Sequence, residues 1–265
     1  MKFEKITPKD IEKINELSPQ NWGHIAPKIE VYLKIDFCHS IKLVDGNKII
    51  GIGTAILYEK TCWIAHLIVK DEHRNKGIGT KILNYLCDYC KNNGYKTILL
   101  FATEMGYPLY KKYGFEIQTE YIQYEKTIEI DFSVNGNIRN IDKMDHSKIL
   151  ELDKSISGED RRKLLLHYIN DGFVYKKNET ITGFYLNNLG EGLIIANNKE
   201  VGLELSKLRI SMNNNSTIPS ENIIAKKYFI ENKFNEKMKI KRMIYGNKII
   251  CKDVNIYNRI GGNFG

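Results

Sequence analysis

The chain has 265 residues, 42% of them hydrophobic, so it can bury a sizeable core in one or two domains. It contains no run of about 18 apolar residues, and its N-terminus, MKFEKITPKD, lacks the apolar segment of a secretory signal, so we expect neither a transmembrane helix nor export. The net charge of +8 comes mostly from evenly spread lysines, while arginine is scarce, so we expect neither a nucleic-acid nor a membrane partner.

The first half of the chain predicts the element order β-α-α-β-β-β-α-β-α-β, ending near residue 127. Thr7 and Pro8 are typical of a helix start, and Asp45-Gly46-Asn47 is typical of a hairpin turn. A strand after the third helix makes a parallel crossover plausible. The segments in chain order are KFEKI, a helix to about Leu17, PKIEVYLKI, SIKLV, KIIGIGTAILY, CWIAHLIV, GTKILNYLCDYCKNNG, KTILLFA, YPLYKKYG and FEIQTEYIQYEK.

The second half, from about residue 138 to 247, predicts a similar order of elements. The loop FSVNGN separates the two parts, and their ends, LYKKYGFEIQTEYIQYEK and YFIENKFNEKMKIKRMIY, resemble each other. We interpret this as a diverged internal repeat, which gives two domains, residues 1–130 and 131–265.

A glycine-rich, basic turn, HRNKGIGTKIL, lies between the strand CWIAHLIV and the third helix. Glycine costs helix stability, but the first N–H groups of a helix have no internal partners and bind anions. Gly77 and Gly79 would let a phosphate group approach these N–H groups closely. The sequence therefore predicts a phosphate site at the start of this helix.

Two common phosphate motifs do not fit this turn. G-x-x-x-x-G-K-[ST] is absent, and the third glycine of G-x-G-x-x-G is replaced by Ile82. Gly51-x-Gly53 lies inside a strand, where it indicates a bulge or a close backbone contact. The pattern that fits is R-x-x-G-x-G, from Arg74 to Gly79.

With WIAHLIVKDEHRNKGIG and ATEMGYPLYKKYGF in the right order, the chain resembles the GNAT N-acetyltransferase superfamily over about residues 3 to 126. The repeat, QNWG and GEDRRKLL resemble its bacterial two-domain members. This implies an α/β (α+β) fold of two tandem GNAT-like domains, each a mixed, mostly antiparallel sheet with splayed central strands flanked by helices. It also implies acetyl-CoA as co-substrate.

The resemblance implies a set of cofactor-binding residues. The pyrophosphate would lie on the amides at the start of the third helix, and the pantetheine arm beside the strand segment LIV. A backbone N–H near Leu67 would face the thioester oxygen. The implied residues are Leu67, Ile68, Val69, Arg74, Asn75, Lys76, Gly77, Ile78, Gly79, Thr80 and Tyr110.

Acetyl transfer to an amine needs a base for the ammonium and an acid for the CoA thiolate. Tyr110 matches the superfamily's usual acid, with Tyr113 and Tyr107 as rival hydroxyls. The base is open. His66 titrates in the right range, but strand alternation could point it away from the acceptor, and the alternative is a packed or hydrogen-bonded histidine. Glu104 is a second candidate, with a solvated loop carboxylate as the alternative.

The acceptor side and the cysteines leave further alternatives open. Trp22 and His24 lie between the first two helices, a region whose residues often line the acceptor site in GNAT proteins, although Trp22 could be a core residue. Five scattered cysteines favour a reducing cytoplasm over a disulfide framework. Cys87-x-x-Cys90 falls in mid-helix with no second pair, so we expect core packing and no metal site.

The second half is not expected to bind CoA. It has a single late glycine, Gly202, at the equivalent helix, with Phe229 in place of Tyr110 and Lys233 in place of Gly114. In SGEDRRKLLLHY, residues 160–162 could reach over the acceptor cleft and bind a charged acceptor. Alternatively, Ser157 could cap a surface helix with Asp160 at its third position.

The sequence predicts an N-acetyltransferase that acts on the amine of a small molecule, as a monomer or homodimer. The alternative is a non-catalytic acyl-CoA-binding sensor, which would have no need of Tyr110.

Overall fold

A computed structural model describes residues 1–19, 23–126 and 135–265. The first half has the predicted order, and the helix after Thr7 begins with a 3-10 turn, Pro8–Asp10, in which the Asp10 carboxylate accepts from the Thr7 backbone N–H. Its elements are β1 (Lys2–Lys5), α1 (Ile11–Asn15), α2 (Ala26–Leu33), β2 (Cys38–Asp45), β3 (Lys48–Leu57), β4 (Cys62–Val69), α3 (Ile78–Asn92), β5 (Thr97–Ala102), α4 (Tyr107–Tyr113) and β6 (Glu116–Lys126).

The second half repeats this order element for element and then adds one short strand. The boundary drawn at residue 130 falls in the segment 127–134, outside the described residues, and stays a prediction. The elements are β7 (Ile138–Asn140), α5 (His146–Ser157), α6 (Arg162–Leu165), β8 (Phe173–Lys177), β9 (Thr180–Leu186), β10 (Leu193–Ala196), α7 (Lys199–Met212), β11 (Asn215–Pro219), α8 (Ile223–Glu231), β12 (Phe234–Gly246) and β13 (Ile256–Asn258).

The two sheets are mixed and mostly antiparallel, as expected, but the larger one combines strands of both halves. Its order is β1-β2-β3-β4-β5-β12-β6-β11, and the smaller sheet is β13-β10-β9-β8-β7. Strand β12 is antiparallel to β5 on one side and to β6 on the other. Each half therefore places its last long strand between two strands of the other half, an exchange that the sequence prediction did not contain.

Strands β4 and β5 are parallel, and they splay apart as predicted. They pair only from Cys62 to Ile64 on β4, and the remainder of β4 continues without β5. Strand β4 also carries a bulge, since Ile68 pairs with Ile52 while Ala65 pairs with Thr54. The N–H and C=O groups of residues 65–69 that face β5 are therefore left outside the ladder.

The glycines of β3 allow helix α3 to pack closely on the sheet, as the Gly51-x-Gly53 pattern indicated. A Cβ on Gly53 would lie 2.7 Å from Leu86 Cδ1, and one on Gly51 would lie 2.7 Å from Ile82 Cδ1. The apolar side of α3 is buried against the sheet together with α4. This packing fixes the start of α3 at the end of β4.

The other face of the larger sheet shares one core with the second half. Trp63, Leu99 and Tyr32 belong to the same buried cluster as Leu164 and Phe264. A separate cluster lies between α7, α8, the strands of the second half and β6 of the first. The two halves are therefore joined by a common apolar core as well as by strand exchange.

The cysteine prediction is partly wrong. Cys87 is buried and free, as expected for core packing, but Cys90 forms a disulfide with Cys62 at the start of β4. The sequence argued against a disulfide framework because the five cysteines are an odd number scattered along the chain, and 28 residues separate the two that pair. Only the packing of α3 on β4 brings them together.

None of the helices in the described ranges combines the length and the apolar character needed to cross a bilayer. The same ranges contain no cluster of three or more His, Cys, Asp or Glu side chains that could hold a metal ion.

The position of β12 depends on Gly246, where β12 meets the start of β5. Gly246 has φ 89°, and a Cβ there would lie 2.1 Å from the Lys96 carbonyl oxygen. We expect Gly246→Ala to lower the free energy of unfolding by about 3 kcal/mol or more in urea denaturation, because backbone must move.

Gly46→Ala is the matched control, since Gly46 has φ 56° with nothing within 4 Å of its Cβ position. It should cost only the left-handed strain, about 1 kcal/mol. Equal losses for the two variants would contradict the placement of β12 against residue 96.

Candidate active site

The turn before α3 leaves the first N–H groups of the helix available to a ligand. Asn75 and Gly77 both have left-handed backbone, with φ 59° and 77°. Among the described residues no side chain caps α3, and its first backbone bond runs from Lys81 N to the Gly77 carbonyl. The amides of Ile78, Gly79 and Thr80 precede that bond, as in the first turn of any helix, and the phosphate site there stays a prediction.

Arg74 holds the shape of this turn. Its Nε donates to the Val69 carbonyl at the end of β4, 3.2 Å away, and its Nη2 lies 2.6 Å from Asp71 Oδ1. Lys76 Nζ donates to the Glu72 carbonyl at 2.9 Å. The guanidinium therefore ties the loop to β4, which gives Arg74 a structural reason for its place in the R-x-x-G-x-G pattern.

Gly79 is the point where β4, α3 and α4 meet. A Cβ there would lie 3.3 Å from Leu109 Cδ2, 3.8 Å from Val69 Cγ2 and 3.9 Å from Leu67 Cδ2. The small residue thus lets α4 approach the start of α3. Because Leu109 precedes Tyr110, this contact places the predicted acid on the helix next to the predicted phosphate turn.

His66 lies in the bulge of β4 with a left-handed backbone, φ 46°. Its Nδ1 is 2.7 Å from the hydroxyl of Tyr32 on α2, so the side chain is on the face of the sheet opposite α3. His66 is thus a packed, hydrogen-bonded histidine, and the register shift in β4 interrupts strand alternation at this point. Burial, with a smaller effect from Lys28, lowers the pKa of His66 to about 4, so it is neutral at pH 7.

Tyr110 is buried within the cluster that joins α3, α4 and the sheet, at 8% exposure. Its ring packs edge-on against Phe115, with centroids 6.0 Å apart. Burial raises the pKa of Tyr110 to about 12, with Cys87 adding to the effect, so the phenol keeps its proton at neutral pH.

The other residues predicted for catalysis and acceptor binding are dispersed. Glu104 is exposed in the turn after β5, and His24 is exposed just before α2. Trp22 lies outside the described residues. The rival hydroxyl of Tyr113 accepts from Lys91 Nζ at 2.9 Å, and Tyr107 lies under the ammonium groups of Lys111 and Lys241.

In the second half, the place equivalent to the predicted anion site is occupied by the chain itself. The side chain of Asn198 caps α7, accepting from the Val201 amide at 3.0 Å. A Cβ on Gly202 would lie 2.1 Å from the ring of Tyr257, on β13. Strand β13 pairs with β10 and, through Asn258 Oδ1 and the Thr217 amide 2.7 Å away, contacts β11. The chain's own segment thus occupies the position that β4 and β5 leave between them in the first half.

The terminal motif of the second half aligns as predicted. Phe229 of α8 is buried and stacks on Tyr124, with ring centroids 5.2 Å apart. Lys233 has φ 60° after α8, the same left-handed region that Gly114 takes after α4. A phenylalanine at this place has no proton to donate.

The segment SGEDRR contacts the first half, but the capping prediction for Ser157 is wrong. Ser157 is the last residue of α5 and not the start of a helix. Glu159 is buried and accepts from the Trp63 indole at 2.9 Å, and burial raises its pKa. Arg161 is also buried, in an ion pair with Asp153, so it is not exposed to an acceptor.

Tyr32 and the segment 259–265 are two further parts of this region that no sequence pattern indicated. This segment reaches from the second half to the face of β4 that carries His66: the Phe264 carbonyl accepts from Tyr58 at 2.7 Å, and Gly265 packs on Trp63. The sequence GGNFG has no periodicity and no motif that links it to residues 200 positions earlier. Only the fold could reveal this contact.

Comparison with known proteins identifies the class. Residues 10–115 match the acetyltransferase (GNAT) family. The matched residues contain β4, the turn, α3 and α4. The uncharacterized N-acetyltransferase YobR of Bacillus subtilis (strain 168) is 29% identical over 83 residues, which is 30% of this chain and 34% of YobR. The match therefore spans about a third of that relative.

Solved structures share the fold over nearly the whole chain. A candidate acetyltransferase from Pyrococcus horikoshii superposes with a TM-score of 0.82 at 24% identity, covering 97% of this chain and 93% of that one. A GCN5-related N-acetyltransferase from Kribbella flavida gives a TM-score of 0.59 at 12% identity, covering 92% and 70%. At these identities the similarity shows the GNAT fold and not the substrate.

Buried His66 should make stability depend on pH. Its pKa is lowered to about 4 from an ordinary value of 6.5, so between these values the unfolded chain binds a proton that the folded chain does not. The stability is complete above pH 6.5 and is lost as the pH falls toward 4, by about 3 kcal/mol. We expect His66→Gln to flatten this part of the curve of unfolding free energy against pH.

His24→Gln, at an exposed histidine, is the control and should keep the wild-type slope. The comparison uses slopes, since His66→Gln also loses the bond to Tyr32 and is less stable at every pH. Parallel curves for wild type and His66→Gln would show that His66 is not buried as described.

Proposed function

We propose that this chain transfers an acetyl group from acetyl-CoA to the amine of a small molecule. The observation that carries the proposal is the start of α3, which no side chain in the described ranges caps and which lies at the end of β4, where β4 and β5 separate. GNAT acetyltransferases use acetyl-CoA, and the first half has the turn and the open strand edge that such a ligand needs. The same places in the second half are filled by Asn198 and β13.

Acetyl-CoA would be held by backbone groups more than by side chains. The amides of residues 76–80 would bind its pyrophosphate, and the edge of residues 67–69 would pair with its pantetheine arm. Arg74 and Asn75 would keep the turn in shape. When bound, acetyl-CoA supplies the activated thioester carbonyl, and the protein's part is to orient that carbonyl and to stabilise charge.

The Leu67 amide would stabilise the oxyanion. It directly follows the left-handed His66, in the part of β4 that has left the β5 ladder. A preorganised donor of this kind is worth about 2.7–4 kcal/mol in the transition state. The bulge is thus the feature of β4 with the most direct chemical consequence.

Tyr110 would donate a proton to the departing thiolate. Its raised pKa, about 12, keeps the phenol protonated at neutral pH, and its helix meets the turn of α3 at Gly79. The second-half equivalent, Phe229, cannot do this. We propose residues 1–130 as the catalytic domain and residues 131–265 as its degenerate partner, in a monomer or homodimer.

Proton removal from the acceptor ammonium would involve His66 or Glu104. His66 is on the face opposite α3, and with a pKa of about 4 it is a weak base that would orient the free amine by accepting its hydrogen bond. Glu104 is exposed at the end of β5 and could pass the proton to solvent. Trp22 and His24 would line the acceptor's entry.

The cofactor proposal is tested by removing one amide without removing the helix. Proline is tolerated in the first turn, so Thr80→Pro deletes a single N–H donor while α3 can still form. We expect it to weaken CoA binding about tenfold or more in calorimetry, since a hydrogen bond to a charged group contributes roughly 1.5–3 kcal/mol.

Thr80→Ala keeps the amide and should bind CoA like the wild type. Equal dissociation constants for Thr80→Pro and Thr80→Ala would contradict a phosphate site at this turn, as would a wild-type chain whose melting temperature does not respond to CoA.

The catalytic proposal is tested with a panel of amines and amino acids, following free-thiol release from acetyl-CoA. We expect Tyr110→Phe to lower kcat about 100-fold or more, within the range for loss of general acid catalysis, while the dissociation constant of acetyl-CoA is unchanged.

Tyr113→Phe removes a hydroxyl from the same helix and should leave kcat near the wild-type value. Unchanged turnover in Tyr110→Phe would refute its role as the acid. CoA binding with no turnover on any amine would favour the sensor hypothesis instead.

A further inference from the structure

The segment 259–265, here called the strap, crosses from the second half to the first. At its beginning Arg259 forms a two-point ion pair with Glu191, with Nη2 to Oε1 at 2.7 Å and Nε to Oε2 at 3.0 Å. The Glu191 amide donates to the Ile260 carbonyl at 2.5 Å. The start of the strap is therefore fixed to the second half.

The far end of the strap is buried against the first half. Phe264 is 4% exposed, its carbonyl accepts from Tyr58, and its ring meets the ring of Tyr32 edge-on with centroids 5.5 Å apart. Gly265 lies so close to Trp63 that a Cβ would be 2.8 Å from the indole. These contacts order residues 263–265 on the face of β4 that carries His66.

Tyr32 connects the strap to the bulge. It is 1% exposed on α2, its hydroxyl is 2.7 Å from His66 Nδ1, and its ring packs edge-on against the ring of Phe264 in the strap. A left-handed backbone in a residue other than glycine persists only where its surroundings hold it. His66 is held by Tyr32, and Tyr32 is held by the strap.

We infer that Tyr32 is a positioning residue for acetyl transfer, and that the strap, which belongs to the second half, holds Tyr32 in place. The inference rests on the proposed function, because the group it positions is the Leu67 amide, through the conformation of His66. The second half would then contribute to the reaction without binding CoA, because its strap stabilises the bulge of β4 in the first half.

The test uses the full chain with two variants that weaken, at different points, the contacts that run from the strap through Tyr32 to His66. Tyr32→Phe removes only the hydroxyl that contacts His66, and Glu191→Gln weakens the ion pair at the start of the strap, on the second half. Arg139→Gln is the matched control, since it breaks another two-point ion pair of the second half, with Asp145.

Two readouts are measured for each variant. The first is deuterium uptake of the peptide covering residues 65–69, relative to β2, by mass spectrometry. The second is kcat on the best amine of the panel, beside the dissociation constant of acetyl-CoA. For Tyr32→Phe and Glu191→Gln we expect faster uptake at residues 65–69 and a kcat lowered about tenfold, with acetyl-CoA affinity within about twofold of wild type, as for a loss confined to the transition state. Arg139→Gln should change neither.

Uptake at residues 65–69 that is unchanged in both variants would overturn the inference, as would a kcat equal to wild type in both. If the wild-type chain acetylates no amine, the proposed function fails and the uptake alone decides whether Tyr32 and the strap hold the bulge.

Discussion

The separation of β4 from β5 after Ile64 is the constraint on which the rest of the structure depends. A parallel pair that stops after three residues leaves a strand edge whose hydrogen-bonding groups need another partner. The bulge at His66 and the uncapped start of α3 both lie along that edge. In the second half the equivalent groups have partners within the chain: β13 pairs with β10, and the Asn198 side chain caps α7. One architecture thus leaves this strand edge open in the first half and closes it with its own residues in the second.

Much of this could be predicted from the sequence, because local chemistry decides it. Hydrophobic periodicity predicts the strand CWIAHLIV and the amphipathic α3, and the backbone freedom of glycine predicts the turn between them. The sequence also showed that the second half lacks these features, since its only glycine at the equivalent helix, Gly202, comes late and Phe229 replaces the tyrosine. These features depend on neighbours within about ten residues, where sequence patterns are most informative.

The features that the sequence could not predict all depend on distant contacts. The exchange of β12 and β6 joins residues more than 100 positions apart, and both strands satisfy the same alternating pattern whichever sheet they enter. The Cys62–Cys90 bond and the contact of Phe264 with Tyr32 arise only after α3 and the strap have packed. The bulge that interrupts strand alternation near His66 could not be predicted either, because no residue type indicates a bulge at a histidine.

The exchanged strands also affect how such a chain can be made. Until β12 has left the ribosome, β5 and β6 have no strand between them, and their edges are open to pairing with other chains. The first half, which holds the whole catalytic apparatus we propose, cannot complete its sheet until nearly all of the chain has been synthesised. Its assembly is thus tied to the survival of the second half, a reason for a lineage to retain a copy that has lost its own chemistry.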